Sequence, residues 1–122
     1  MDDEARRTIL VVEDDQELRA VMAEVLAELG HAVLCAAEGG EALRLLGAGA
    51  QVDVILLDLL MPGVDGYEFR ARQLADEGLA AIPVIILSAG GERRPAPLGE
   101  VTYLRKPVEL DELTATVAAL LG

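Results

Sequence analysis

Five short apolar runs, separated by segments of helical period, constrain this chain more than any other feature. They fall at residues 8–12, 31–36, 52–57, 83–87 and 101–104. Several are apolar at every position rather than at alternate ones, the pattern of strands covered on both faces. Between the first two, Leu18, Val21, Met22, Val25, Leu26 and Leu29 recur at i, i+3, i+4, i+7, i+8 and i+11. That spacing predicts an amphipathic helix, and Gly30 is its stop.

A shorter helix is predicted over 41–46, after Gly39-Gly40 and before a Gly-Ala-Gly stretch. Asp65 is expected to cap a third helix running to about Gly78, with Tyr67, Ala71 and Leu74 on one side. Pro107 precedes a last helix whose inner stripe is Leu110, Leu113, Val117 and Leu120. Strand and helix alternate, which predicts an α/β domain wound on both faces of a parallel sheet. Residues 90–99 break the rhythm, with three glycines, two prolines and no helical stripe. A loop, or at most one turn, is expected there.

A chain of 122 residues with no internal repeat or linker fits one domain, residues 1–122, with a self-sufficient core. Because only 2% of residues are aromatic, that core must be built from Leu, Val, Ile and Ala. Ten basic residues against 22 acidic ones leave a net charge of −12. Such a surface repels phosphate backbones and anionic lipid, so direct nucleic-acid binding and membrane insertion are not expected. The apolar runs are too short to span a bilayer, and the acidic N-terminus is unlike a secretory signal. A lone cysteine, Cys35, excludes an internal disulfide and fits a reducing compartment, so a cytoplasmic location is expected. Cys35 itself reads as a buried, inert thiol in an apolar strand, and His31 as a structural turn residue.

In doubly wound sheets, ligands sit beyond the carboxyl ends of the strands, where strand order reverses. The first strand leads into Glu13-Asp14-Asp15, and the third ends at Asp58. Asp15 reads as the cap of the first helix. If the two strands are neighbours, Glu13, Asp14 and Asp58 share one crevice, and crowded carboxylates call for a cation. A hard divalent ion such as Mg²⁺ answers that need. Ser88 ends the fourth strand and Lys106 follows the fifth, adding a hydroxyl and an ammonium suited to phosphoryl oxygens. Nine of the ten basic residues are Arg, and the one Lys stands at this position. Asp58 is then the candidate nucleophile, able to form an aspartyl phosphate.

Four ordered segments carry a resemblance that spans nearly the whole chain. Ile9-Leu10-Val11-Val12-Glu13-Asp14-Asp15 resembles the opening strand and acidic pair of response-regulator receiver domains, and Asp58-Leu59-Leu60-Met61-Pro62-Gly63-Val64-Asp65-Gly66 resembles their phosphoacceptor loop. Pro83-Val84-Ile85-Ile86-Leu87-Ser88-Ala89 is similar to their fourth strand, and Tyr103-Leu104-Arg105-Lys106-Pro107 to their lysine–proline element. The resemblance implies a five-stranded, flavodoxin-like sheet of order 2-1-3-4-5, its fourth helix short or absent because of 90–99. It also implies that Asp58 accepts a phosphoryl group from a histidine kinase or phosphotransfer protein. Mg²⁺ would be held by Asp14, Asp58 and the backbone carbonyl of Leu60, with Glu13 acting largely through water. Ser88 and Lys106 would hold the phosphoryl oxygens, and the Lys106–Pro107 bond would be cis. Tyr103 matches the family's switch aromatic, although packing at a sheet edge explains it nearly as well.

On this reading the protein is a single-domain signalling module rather than an enzyme, and its signal leaves by protein–protein contact. Two other readings compete. A pseudo-receiver, docking without phosphorylation, would be marked by loss of an acid, the phosphoacceptor or the lysine, and all are present. An aspartyl-nucleophile phosphatase needs a second acid two residues after the nucleophile, where this chain has Leu60.

Overall fold

Each of the five apolar runs forms a strand in the structure, a computed structural model that describes residues 6–90 and 98–122. The strands are β1 (Thr8–Val12), β2 (Ala32–Ala36), β3 (Val54–Asp58), β4 (Val84–Ser88) and β5 (Thr102–Arg105). All neighbours are parallel, in the order β2-β1-β3-β4-β5. Among the described residues, four helices flank the sheet: α1 (Gln16–Glu28), α2 (Gly39–Gly47), α3 (Gly66–Ala75) and α4 (Leu110–Leu121).

Helices on both faces explain why the strands are apolar at every position. Ile9, Val11, Val54, Leu56, Ile85, Leu87 and Leu104 point to one side, where Met22 and Leu26 of α1 and Leu113 and Val117 of α4 cover them. Leu10, Val12, Ile55, Leu57, Val84 and Ile86 point to the other, against Ala42 and Leu46 of α2 and Phe69 of α3. None of the described helices is long and apolar enough to cross a membrane.

The helix boundaries follow their caps. Asp15 opens α1 by accepting hydrogen bonds from the N–H groups of Glu17 and Leu18. Gly30, at φ +95°, closes it in a conformation that costs glycine little. Glycines 39 and 40, read as preceding the second helix, lie inside α2, because Glu38 caps it from one residue earlier.

Several expectations about faces need correction. Val21 of α1 is exposed, since it lies about 100° round the helix from the buried Met22, and Leu29 is exposed as the C-cap just past the helix end. Leu120 of α4 is exposed too, and Leu121 packs on the core instead. Helix α3 ends at Ala75, where the Asp76 N–H bonds to Gln73 O, short of Gly78. Its buried face is Gly66, Phe69, Arg70 and Gln73; Tyr67 is half-buried against the same core, while Ala71 and Leu74 are exposed. Cys35 is exposed, because β2 is an edge strand. Local desolvation still raises its pKa, with Arg19 opposing and Glu41 adding to the rise. His31 holds its structural place, its Nδ1 accepting from the Arg7 N–H at 3.4 Å.

The loop expected over 90–99 falls mostly on residues 91–97, outside the described residues. Those on either side, Ala89, Gly90 and 98–101, are not helical. In chain order the fourth described helix is therefore the C-terminal one, which follows β5.

Candidate functional site

Strand order reverses between β1 and β3, and the two run in register from Ile9↔Val54 to Val12↔Leu57. The residues just past that register are Glu13 and Asp58. Parallel pairing therefore delivers both carboxylates to one crevice at the carboxyl edge of the sheet. Carboxylate oxygens of Glu13, Asp14 and Asp58 all lie within 4.8 Å of one another. Glu13 and Asp58 are buried, while Asp14 opens to solvent.

The neighbouring strands bring the other two groups. Ser88 is the buried last residue of β4, its Oγ accepting from the Gly90 N–H at 3.1 Å. The Lys106 N–H donates to Ser88 O at 2.8 Å, which fixes the start of the β5–α4 loop against the end of β4. From there the Lys106 ammonium reaches inward, 3.1 Å from Glu13 Oε1 and 3.4 Å from Asp58 Oδ1. The Lys106–Pro107 peptide is cis.

Three carboxylates thus face one ammonium. Burial, then the Glu13 charge, pushes the Asp58 pKa up to about 7, and Lys106 only partly offsets this. Burial pulls the Lys106 pKa down, but the Glu13 and Asp58 carboxylates outweigh it and leave the ammonium above its ordinary value. A crevice of hard oxygen donors with excess negative charge fits a divalent cation such as Mg²⁺.

The loop after β3 is braced from both sides. Gly66, the first residue of α3, donates its N–H to Leu59 O at 2.9 Å and packs so closely on Asp58 O and Leu59 Cα that a Cβ would collide. Leu59 and Met61 are buried beneath the loop, and Leu60 between them is exposed. Tyr103 lies on the outer strand β5, in register with Ile86, exposed and outside the carboxylate cluster.

One positively charged neighbour escaped the sequence reading. Arg19 of α1 turns back to donate to Glu13 O at 2.8 Å, holding the backbone that carries the acidic pair. Its position six residues after Glu13, one turn into the helix, is the only sequence signal for it.

The arrangement is an acidic crevice at the carboxyl edge of a doubly wound α/β domain, and residues 9–118 match the response regulator receiver domain. The chain belongs to that family. It is 40% identical over 116 residues to the transcriptional regulatory protein TcrA of Mycobacterium tuberculosis, covering 92% of this chain and 45% of that protein. It is 32% identical over 118 residues to protein PilH of Pseudomonas aeruginosa, covering 93% and 97% respectively. The chain thus spans about half the length of TcrA and nearly all of PilH. Among solved structures, the receiver domain of the sensor histidine kinase PA1611 from Pseudomonas aeruginosa superposes with a TM-score of 0.85 at 30% identity, covering 95% of this chain and 98% of that one. That structure has a magnesium ion coordinated in its active-site cleft. The response regulator TrrA of Thermotoga maritima, in complex with Mg²⁺ and a beryllium fluoride, gives 0.80 at 30% identity, covering 93% and 98%.

Proposed function

We propose that the chain accepts a phosphoryl group on Asp58 from a histidine kinase or phosphotransfer protein, in a Mg²⁺-dependent reaction, and signals by protein–protein contact. One observation carries this reading: the Lys106 ammonium reaches both buried acids of a three-carboxylate crevice. Asp58 presents a carboxylate oxygen to the phosphorus. The new O–P bond forms as the donor's N–P bond breaks, and the departing imidazole nitrogen keeps the electron pair. Lys106 and Ser88 stand where they can take the transferred oxygens, as charge and as hydroxyl donor. Asp14, Asp58 and the Leu60 carbonyl are the ligands proposed for the metal, with Glu13 acting through water. When bound, Mg²⁺ would neutralise charge building on the phosphoryl oxygens.

The test is intact mass after incubation with a small-molecule phosphodonor, with and without Mg²⁺. A gain of one phosphoryl group that needs Mg²⁺ and is absent from Asp58→Asn is the expected result. No gain under any condition would leave the chain a docking module that works unphosphorylated. Tyr103 is the proposed switch aromatic, and a lack of exchange broadening around it on phosphorylation would remove that role.

A further inference from the structure

Arg70 occupies the inner face of α3, where a helix packed on a sheet ordinarily carries an apolar side chain, yet it is only 4% exposed. Its Nε donates to Leu98 O at 2.7 Å. Its two terminal nitrogens donate to Gln73 Oε1 at 2.8 Å and to Glu100 O at 3.3 Å. Gln73, also buried, gives its own amide to the carbonyls of Leu79 and Ile82 at 2.9 and 3.0 Å. No carboxylate among the described residues pairs with Arg70. Desolvating a guanidinium is costly, and the three hydrogen bonds it donates here offset that cost. What the guanidinium adds is a fork that holds two carbonyls of one segment at once.

Both ends of this brace lead to the phosphoryl site. One helical turn before Arg70, Gly66 is seated on the backbone of Asp58 and Leu59. Two residues after Glu100, β5 begins, and it runs through Tyr103 to Lys106, whose ammonium returns to Asp58. Asp58, α3, Arg70, the start of β5 and Lys106 therefore form a closed mechanical loop.

We propose that Arg70 is a positioning residue that ties α3 to the start of β5, so that residues 98–105 move with the phosphorylation state of Asp58. This rests on the reading of Asp58 as phosphoacceptor. A guanidinium bridging two backbone carbonyls to a rigid helix is a stiff link, able to pass a displacement of either end to the other. A purely structural Arg70 would protect residues 98–105 equally in both states.

Beryllium fluoride with Mg²⁺ serves as the phosphoryl probe on the full chain. Binding is read by ¹⁹F resonance, and amide hydrogen exchange is followed at 98–105. In the wild type, exchange there is expected to change by about fivefold or more on binding. Arg70→Met is expected to bind the probe but lose most of that change, whatever its exchange in the free state. Arg70→Lys keeps the charge without the fork and is expected to lose it as well; it carries the test should Arg70→Met fail to fold. A full change retained in a folded variant would overturn the proposal. So would a wild type that binds the probe with no response at 98–105. Absence of any bound ¹⁹F signal in the wild type would instead sink the phosphoacceptor reading, and this proposal with it.

Discussion

The ammonium of Lys106 stands 3.1 Å from Oε1 of Glu13, a side chain with no exposure of its own, and only 3.4 Å from Asp58 Oδ1. One flexible cation therefore compensates two buried acids from opposite sides of the β1–β3 junction. Removing it leaves both without that cation in a region that water does not reach freely, although Glu13 Oε2 still accepts from the Asp15 N–H at 3.1 Å. Lys106→Met is expected to lower stability by about 3 kcal/mol, the low end for breaking a buried pair because Lys106 keeps some contact with solvent. Mg²⁺ should restore part of the loss. Urea unfolding of both proteins, with and without Mg²⁺, measures this, and an unchanged midpoint would remove Lys106 from the charge balance.

Asp58 makes stability depend on pH with a definite sign. Its pKa in the fold is about 7, above the 3.8 of an ordinary aspartate, so the folded chain holds a proton that the unfolded chain has released. Without metal, stability should therefore fall as pH rises from about 4 to 7 and level off beyond, by roughly 2–4 kcal/mol. Asp58→Asn should flatten the curve and be the more stable protein at pH 8. Mg²⁺ should raise the melting temperature more at pH 8 than at pH 5, since it acts on the ionised form.

Gly66 has no room for a side chain against Asp58 O and Leu59 Cα. Gly66→Ala must push α3 away from the loop it caps. The expected cost is about 1–3 kcal/mol, as for other overpacked sites. Phosphoryl uptake should slow as well, because the obstruction bears on the backbone of Asp58. Normal uptake kinetics in a destabilised Gly66→Ala would separate the fold's need for glycine from the site's.

Glu38 caps α2 through Gly40 and Glu41, and it also accepts from the Val64 N–H at 3.4 Å. Those bonds, the one from Gly40 foremost, hold its pKa below the usual glutamate value. The stabilisation is thus present above about pH 4.5 and lost as pH falls through the lowered value. Glu38→Ala should melt below the wild type at pH 7, with the gap closing as pH falls through that lowered value. A gap independent of pH would mean that the cap works through packing rather than charge.

Strand positions and the acidic crevice were legible because they rest on simple rules. Strands buried on both faces read as continuous apolar runs, and a charge at the end of such a run, as at Asp58, has few structural explanations. Helix faces were harder. The true inner stripe of α3 keeps the i, i+3, i+4, i+7 spacing, but two of its four members are Arg70 and Gln73, so a search for apolar periodicity lands on the exposed Ala71 and Leu74 instead. Polarity hid burial there, and only the carbonyls of Leu98, Glu100, Leu79 and Ile82, all outside α3, show why it is tolerated. Cys35 failed in the opposite direction. Its apolar strand suggested burial, but edge position is a property of strand order, which no single strand encodes. Arg19 and Glu38 act on backbone atoms, and such contacts leave almost no signature in residue type.

The scarcity of aromatic residues has an optical consequence. With no tryptophan in the chain, its near-ultraviolet emission comes from two tyrosines. Tyr67 stands in the first turn of α3, next to the glycine seated on Asp58, and Tyr103 stands on β5, three residues before Lys106. The two fluorophores thus sit on the two elements that lead away from the crevice, and the unlabelled protein carries its own light source at each.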